Sequence, residues 1–178
     1  MAIELQDVKE SISKIDLQEI NNQYDATLQS KLALMKCQNG ESGYKLVANN
    51  CYFFDKVKRL RAEALVNCAS KFPSGGRFIE PRTDQLYELI LKESISYFTK
   101  SYVWLGVEYS SEKDAFIYTS DGAPVVMTKW YQDSAAQPID NGYHPRAENY
   151  YSTFGVTNKR WFNNFGSTNE VFSICEPK

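Results

Sequence analysis

The sequence lacks the features that mark common catalytic and zinc-binding classes. It contains one histidine, His144, and it has no Cys-x-x-Cys spacing, no Gly-x-Ser-x-Gly motif and no phosphate-binding loop. One histidine cannot complete a common zinc set with four scattered cysteines. It also limits triad and general-base schemes. We therefore expect neither a structural zinc site nor an enzyme.

Charge and hydropathy argue against two kinds of partner. The formal net charge is −2 and the pI is about 5.5, so the chain has no excess of basic residues for nucleic acid. No apolar run approaches the roughly 20 residues that span a bilayer. The sequence begins without a signal-peptide pattern, which a mature chain would have lost. We expect no nucleic-acid partner and no membrane span.

The first part of the chain reads as one long helix. Residues 3–35 contain no proline or glycine. Their apolar residues recur every three or four positions, as in a coiled coil, with one slip near residue 19: Leu5, Val8, Ile12, Ile15, Ile20, Tyr24, Leu28, Leu32 and Met35. We interpret residues 1–36 as a stalk that forms a homo-oligomer. The alternative is an amphipathic helix that packs on its own domain.

The rest of the chain, residues 37–178, has the pattern of an α+β domain. Residues 44–54 are predicted to form two short strands around an Asn-Asn turn. Residues 57–72 are predicted to be helical, with "KRLR" at 58–61 on the solvent-facing side. Thr83 is a candidate N-cap for a second helix. Beyond residue 100 the sequence is strand-rich, with a long polar loop.

The cysteines favour an oxidising compartment. Cys37, Cys51, Cys68 and Cys175 allow three pairings, and their wide spacing fits two disulfides better than a metal cluster. The alternative is four reduced, buried cysteines in a cytosolic protein.

From residue 37 to residue 176 the sequence resembles a C-type lectin-like domain. The resemblance rests on a series of landmarks in the family's order rather than on one motif. They are "CYFF" (51–54), "GGRFIEPRTDQL" (75–86), "VWLGV" (103–107), "DGAPVVMTKW" (121–130), a Gln-Pro loop, "RWFNN" (160–164) and the terminal "ICE" (174–176).

The resemblance implies a fold and its disulfides. The expected fold has two helices, antiparallel sheets and a long binding loop, preceded here by the long N-terminal helix. The implied disulfides are Cys37–Cys51 and Cys68–Cys175. The family usually has a further disulfide in the long loop, but Tyr150 and Ser167 stand at or near its two positions here.

The resemblance also implies a calcium site with a galactose-type sugar bound to it. Gln137-Pro138 matches the Gln-Pro version of the sugar-binding loop, Glu148 the later carboxylate, and Asn163 and Asn164 the Asn-Asp pair of a following strand. Calcium takes six to eight oxygen ligands of this kind.

The implied calcium site departs from the family's pattern at three positions. Ile139 follows Pro138 where the family has a ligand, so the nearest carboxylate is Asp140, one residue later. Asn164 replaces a carboxylate, and Phe162 is an extra residue before Asn163. The implied calcium ligands are therefore Gln137, Asp140, Glu148, Asn163 and Asn164. Because calcium affinity follows ligand charge, such a site would be weak.

Two functions follow from this interpretation. The first is a secreted, extracellular lectin that binds a glycan and displays its domain in several copies, which raises avidity. Tyr143 belongs to a group of loop aromatics suited to stacking on a sugar. The alternative is a calcium-independent module on the same fold that binds a cell-surface protein or serves adhesion.

Overall fold

The computed structural model describes residues 2–98, 101–126, 150–157, 159–165 and 169–178. These ranges contain three helices and eight strands. The helices are α1 (Ala2–Gln38), α2 (Arg61–Ala69) and α3 (Asp84–Tyr97). The strands are β1 (Tyr44–Val47), β2 (Asn50–Arg59), β3 (Gly76–Phe78), β4 (Tyr102–Ser110), β5 (Ala115–Tyr118), β6 (Tyr150–Gly155), β7 (Arg160–Phe165) and β8 (Val171–Pro177).

Helix α1 confirms the prediction of one continuous N-terminal helix and extends three residues past its predicted end. It stops at a left-handed residue, Gly40, whose φ is +66°. Glycine adopts this conformation without the steric cost that a Cβ would bring. The helix therefore ends where the glycine-containing segment begins.

The predicted hairpin is present, with its turn one residue earlier than expected. Ala48 and Asn49 have φ of 48° and 63° and connect β1 to β2. Two consecutive residues with positive φ match the twist of a two-residue hairpin.

The helix predicted over residues 57–72 is wrong at both ends. Strand β2 continues to Arg59, because this strand pairs with β8 as far as the Arg59–Val171 pair. Tertiary pairing overrides local helix propensity at these positions. The interpretation of "KRLR" as a solvent-facing helical surface is also wrong. Lys58 and Arg59 lie in β2, and Arg61 begins α2 with its guanidinium 3.4 Å from the carboxylate of Glu108.

Helix α3 begins as predicted. The backbone N–H of Leu86 donates to Thr83 Oγ1 at 3.1 Å, which satisfies one donor of the first turn. Ile90 and Leu91 on the inner side of the helix are buried.

The strands form one mixed sheet with β8 near its centre. The order is β1-β2-β8-β4-β6-β7, with β3 also paired to β8 and β5 to β4. The β4–β8 pair is parallel and the others are antiparallel.

The sheet separates two buried clusters. Alternate residues of β8 point to opposite sides, so Ile174 joins the cluster that includes α3, and Cys175 joins the one that includes α2. Trp161 belongs to the first cluster and Trp104 to the second, each with no exposed surface. Both match the prediction that they are core residues, whereas Trp130 lies outside the described residues.

The two disulfides that the resemblance implied are both present. Cys37 at the end of α1 is bonded to Cys51 in β2, and Cys68 in α2 is bonded to Cys175 in β8. The second bond joins residues 107 positions apart and so links the first helix of the domain to its last strand. Within the described part of the chain, no helix has the length and apolar character needed to cross a membrane.

Candidate functional site

The site predicted from the sequence is centred on the segment between β5 and β6. Gln137, Asp140, Tyr143 and Glu148 lie in residues 127–149, outside the described residues. Asn163 and Asn164 lie in β7, where the backbone is described. The structure therefore defines the framework from which the segment leaves and to which it returns.

The framework at the far end of the segment is the β6–β7 hairpin. Tyr151 pairs with Asn164, and Ser152 pairs with Asn163. Directly opposed residues of an antiparallel pair have Cα atoms about 4.5–5.5 Å apart. Tyr150, the first residue of β6, directly follows residues 127–149 and pairs with Phe165, the neighbour of Asn164.

Large side chains hold this hairpin from beneath. Measured between ring centres, the Trp161 ring lies 6.1 Å and the Phe154 ring 5.9 Å from the ring of Tyr87 in α3. All three residues are fully buried. Burial raises the pKa of the Tyr87 phenol, and the charge of Glu88 adds to this effect while that of Arg160 opposes it. Tyr87 therefore stays neutral in the core.

The near end of the segment is anchored by a carboxylate that the sequence analysis did not single out. The side chain of Glu80 is 1% exposed. It accepts hydrogen bonds from Thr119 Oγ1 at 3.0 Å and from the backbone N–H of Ser120 at 2.9 Å. Arg82 lies 2.8 Å from the same carboxylate and also reaches Asp121 at 2.8 Å. A buried charge is tolerated when it is paired and hydrogen-bonded in this way.

Glu80 thus holds the turn that follows β5, a few residues before the loop segment. Beyond the turn, the backbone N–H of Val125 donates to the carbonyl of Phe116 at 2.9 Å. Glu80 was present in the landmark "GGRFIEPRTDQL", but its burial has no sequence signal, since glutamate is usually exposed.

A cleft of about 310 Å³ lies beside Glu80. Four of its eight lining residues are charged, and the full set is Asn50, Tyr52, Arg77, Glu80, Arg82, Leu86, Glu176 and Pro177. The Nε of Arg77 lies 2.9 Å from Glu176, so each of the two carboxylates in the cleft is paired with a guanidinium. Burial raises the pKa of the Glu176 carboxyl, an effect that Arg77 opposes, and burial raises the pKa of Tyr52 to about 12.

Among the described residues, no group of three His, Cys, Asp or Glu side chains is placed to hold a metal ion. The predicted calcium ligands fall outside that set, because they lie in residues 127–149 or have side chains that are not described.

Comparison with solved structures identifies the architecture. The crystal structure of the C-type lectin CEL-I from Cucumaria echinata superposes with a TM-score of 0.60 at 21% identity, covering 75% of this chain and 94% of that one. This chain has the C-type lectin-like fold. No protein-family model matches the sequence, and no curated protein matches it significantly.

Two further structures with this fold show its range. The SPL-1–GlcNAc complex has a TM-score of 0.58 at 17% identity, covering 76% of this chain and 93% of that one. The calcium-independent C-type lectin SPL-2 from Saxidomus purpuratus has a TM-score of 0.57 at 19% identity, covering 76% and 91%. At these identities the likeness establishes the fold.

Proposed function

We propose that this chain is an extracellular lectin whose glycan site lies on the segment between β5 and β6. The observation that supports the proposal is the register of the β6–β7 hairpin, which pairs Asn163 and Asn164 with Ser152 and Tyr151 at the start of β6, the strand that follows that segment. Two disulfides in the structure fit an oxidising, extracellular compartment. The fold, shared with several lectins, supports the same function.

Within this site, calcium is the proposed cofactor and a galactose-type sugar the proposed ligand. Gln137, Asp140, Glu148, Asn163 and Asn164 would supply the oxygen ligands, since carboxylate and amide oxygens are what calcium prefers. A ring such as that of Tyr143 would stack on the apolar face of the sugar.

Thermal unfolding with EDTA and with calcium up to millimolar concentrations tests the metal site. Calcium that binds only the folded state must raise the midpoint by mass action. We expect this rise in the native chain and its loss in Glu148→Ala. Glu112→Ala, at an exposed position in the β4–β5 turn, is the matched control and should keep the rise. Sugar titrations with galactose and mannose then test the proposed preference.

Absence of a calcium-dependent shift in the native chain would contradict the calcium mechanism. The alternative, a calcium-independent module that binds a protein or a glycan, would then be favoured. Ile139 in the position of a calcium ligand supports this alternative. The fold is compatible with it as well, since SPL-2 is a calcium-independent lectin with the same fold.

We further propose that residues 1–36 form an oligomerising stalk for the domain at residues 37–178. Apolar side chains along α1 are exposed, among them Ile20 at 60% and Tyr24 at 70%. The rest of this exposed stripe comprises Leu28, Leu32 and Met35. An apolar stripe at helical spacing fits burial against the same stripe of a second copy.

Contact between α1 and its own domain is concentrated near the end of the helix. Ala33 is 3% exposed and packs with the α2 cluster, and Lys36 Nζ donates to Tyr44 Oη at 3.2 Å. The domain therefore covers a different side of α1 from the exposed stripe. This geometry supports the stalk over the alternative of a helix packed along its own domain.

Sedimentation equilibrium measures the assembly directly. The native chain should be an oligomer, and Leu28→Asn with Leu32→Asn should shift it to monomer by placing amides in the apolar stripe. A paired control, Gln23→Asn with Ser30→Asn, adds the same side chains at exposed polar positions and should leave the mass unchanged. A native chain that stays monomeric at high concentration would contradict the stalk.

A further inference from the structure

A lysine-rich surface lies where the β1–β2 hairpin passes the end of α3. Lys56 and Lys58 are exposed residues of β2, in the stretch between Asp55 and Arg59 where the register with β8 shifts. Lys45 in β1 pairs with Tyr52, which lies on the same side of β2 as the buried Phe54. Beyond Phe54 the regular alternation of β2 ends, so the position of each lysine is defined by the rings that it contacts.

The three ammonium groups lie along a row of aromatic rings. Lys56 Nζ is 4.3 Å and Lys45 Nζ is 5.2 Å from the ring centre of Tyr97. Lys58 Nζ is 5.3 Å from the ring centre of Phe172. Tyr97 and Phe172 both pack on Phe98, with ring centres 5.5 and 4.7 Å away. Since ring faces attract cations, these contacts hold the ammonium groups close to one surface. We call Lys45, Lys56, Lys58, Tyr97 and Phe172 the lysine face.

The charge of this face is only partly balanced. Glu93 of α3 lies 3.7 Å from Lys45. Asp55 is on the opposite side of β2, where it is buried and bonded to Arg59 and Asn67. No ion pair of Lys56 or Lys58 is found within the described part of the chain. Three cations facing one carboxylate give a local positive charge on a chain whose net charge is −2.

We propose that the lysine face binds an anionic saccharide, one that carries sulfate or carboxylate groups. Ammonium groups form charge-assisted hydrogen bonds with such anions. Tyr97 and Phe172 are half-buried, so their exposed edges offer an apolar contact to a sugar ring between the charged groups. This binding needs no calcium and uses none of the residues proposed for the loop site.

The extent of the face favours a saccharide over larger polyanions. Membrane recognition through anionic lipids uses clusters of about four to eight basic residues. Nucleic-acid binding requires an extended basic surface, commonly on a basic domain. Three ammonium groups along one aromatic row match one or two anionic groups, as on a short sulfated sugar unit.

Calorimetric titration with a sulfated heparan hexasaccharide in EDTA tests the proposal, with its desulfated equivalent as the comparison ligand. The sulfated form should bind more tightly than the desulfated form, which keeps only its carboxylates, and its affinity should fall as NaCl rises from 50 to 200 mM, because the attraction is screened. Lys56→Gln with Lys58→Gln should weaken binding about tenfold or more, the loss expected when charge-assisted bonds are removed.

Two variants make the outcome specific to this surface. Lys31→Gln with Lys178→Gln removes the same charge at exposed positions elsewhere and should leave the affinity within about twofold. Lys56→Arg with Lys58→Arg keeps the charge and should retain binding. Equal weakening by both Gln pairs, equal binding of the desulfated sugar, or no binding of the sulfated sugar would overturn the proposal. Because EDTA is present throughout, failure of the calcium site would leave this result unaffected.

Discussion

The two disulfides should stabilise the fold by unequal amounts. Cys68–Cys175 closes a loop with a sequence separation of 107, and Cys37–Cys51 closes one of 14. In the chain-entropy model a loop of about 100 residues contributes about 4.7 kcal/mol and one of about 15 residues about 3 kcal/mol. We therefore expect the long-range bond to contribute about 1.7 kcal/mol more to the free energy of unfolding than the short one.

Deleting buried sulfur atoms adds a cavity cost to the loop term, so each bond is measured as the difference between the oxidised and reduced states of one variant. Cys37→Ala with Cys51→Ala retains only the long-range bond, and Cys68→Ala with Cys175→Ala retains only the short one. Urea unfolding of each variant, oxidised and then reduced, gives the contribution of the bond that remains. Tryptophan fluorescence is a suitable probe, since Trp104 is fully buried.

The comparison has a clear failing outcome. If reduction of the short bond lowers the unfolding free energy as much as reduction of the long one, loop closure does not determine the ranking. Native contacts around Cys37 and Cys51 would then dominate, and α1 would be more tightly coupled to the domain than its exposed stripe suggests. A domain has about 5–15 kcal/mol in total, so either contribution is large enough to measure.

Substitutions at three positions test the framework. Burial raises the pKa of Glu176 above its ordinary 4.5 against the pull of Arg77, so the folded state retains a proton that the unfolded state loses. The unfolding free energy of the protein should therefore fall as pH rises from about 4.5 through the raised pKa of Glu176. Glu176→Gln should remove that decline, measured as urea midpoints from pH 4 to 7. Thr83→Ala should cost about 1 kcal/mol by removing the N-cap, while Thr83→Ser should cost less, both measured by urea unfolding. Gly106→Ala would place a Cβ 2.6 Å from Glu80 Cγ and should lower the unfolding free energy by about 1–3 kcal/mol in the same assay, and an unchanged midpoint would contradict this close packing.

Much of the fold was predictable because its signals are local. The N-cap at Thr83 is a short-range hydrogen bond, and the hairpin turn contains Asn49, a residue that accepts positive φ. The ordered landmarks predicted the C-type lectin-like fold, and the solved structures confirm it.

Other features depended on partners distant in sequence. The end of β2 at Arg59 is set by its pairing with Val171, 112 positions later, which no helical pattern at 57–72 reveals. The role of Glu80 depends on the turn at Ser120. The loop site was predicted from resemblance alone, because residues 127–149 carry no periodic pattern, and its metal ligands stay predictions.

The two proposed ligand surfaces differ in what specifies them. Residues 127–149 leave the framework after a turn fixed by Glu80 and return to it at the β6–β7 hairpin. The ligand proposed for them would therefore be set by the sequence of the segment itself. The lysine face depends on packing in the core instead. Lys56 and Lys58 lie where the register of β2 against β8 shifts, so ring contacts rather than strand pairs hold their ammonium groups. Those rings, Tyr97 and Phe172, pack on the buried Phe98, so this second proposed surface is coupled to the stability of the fold.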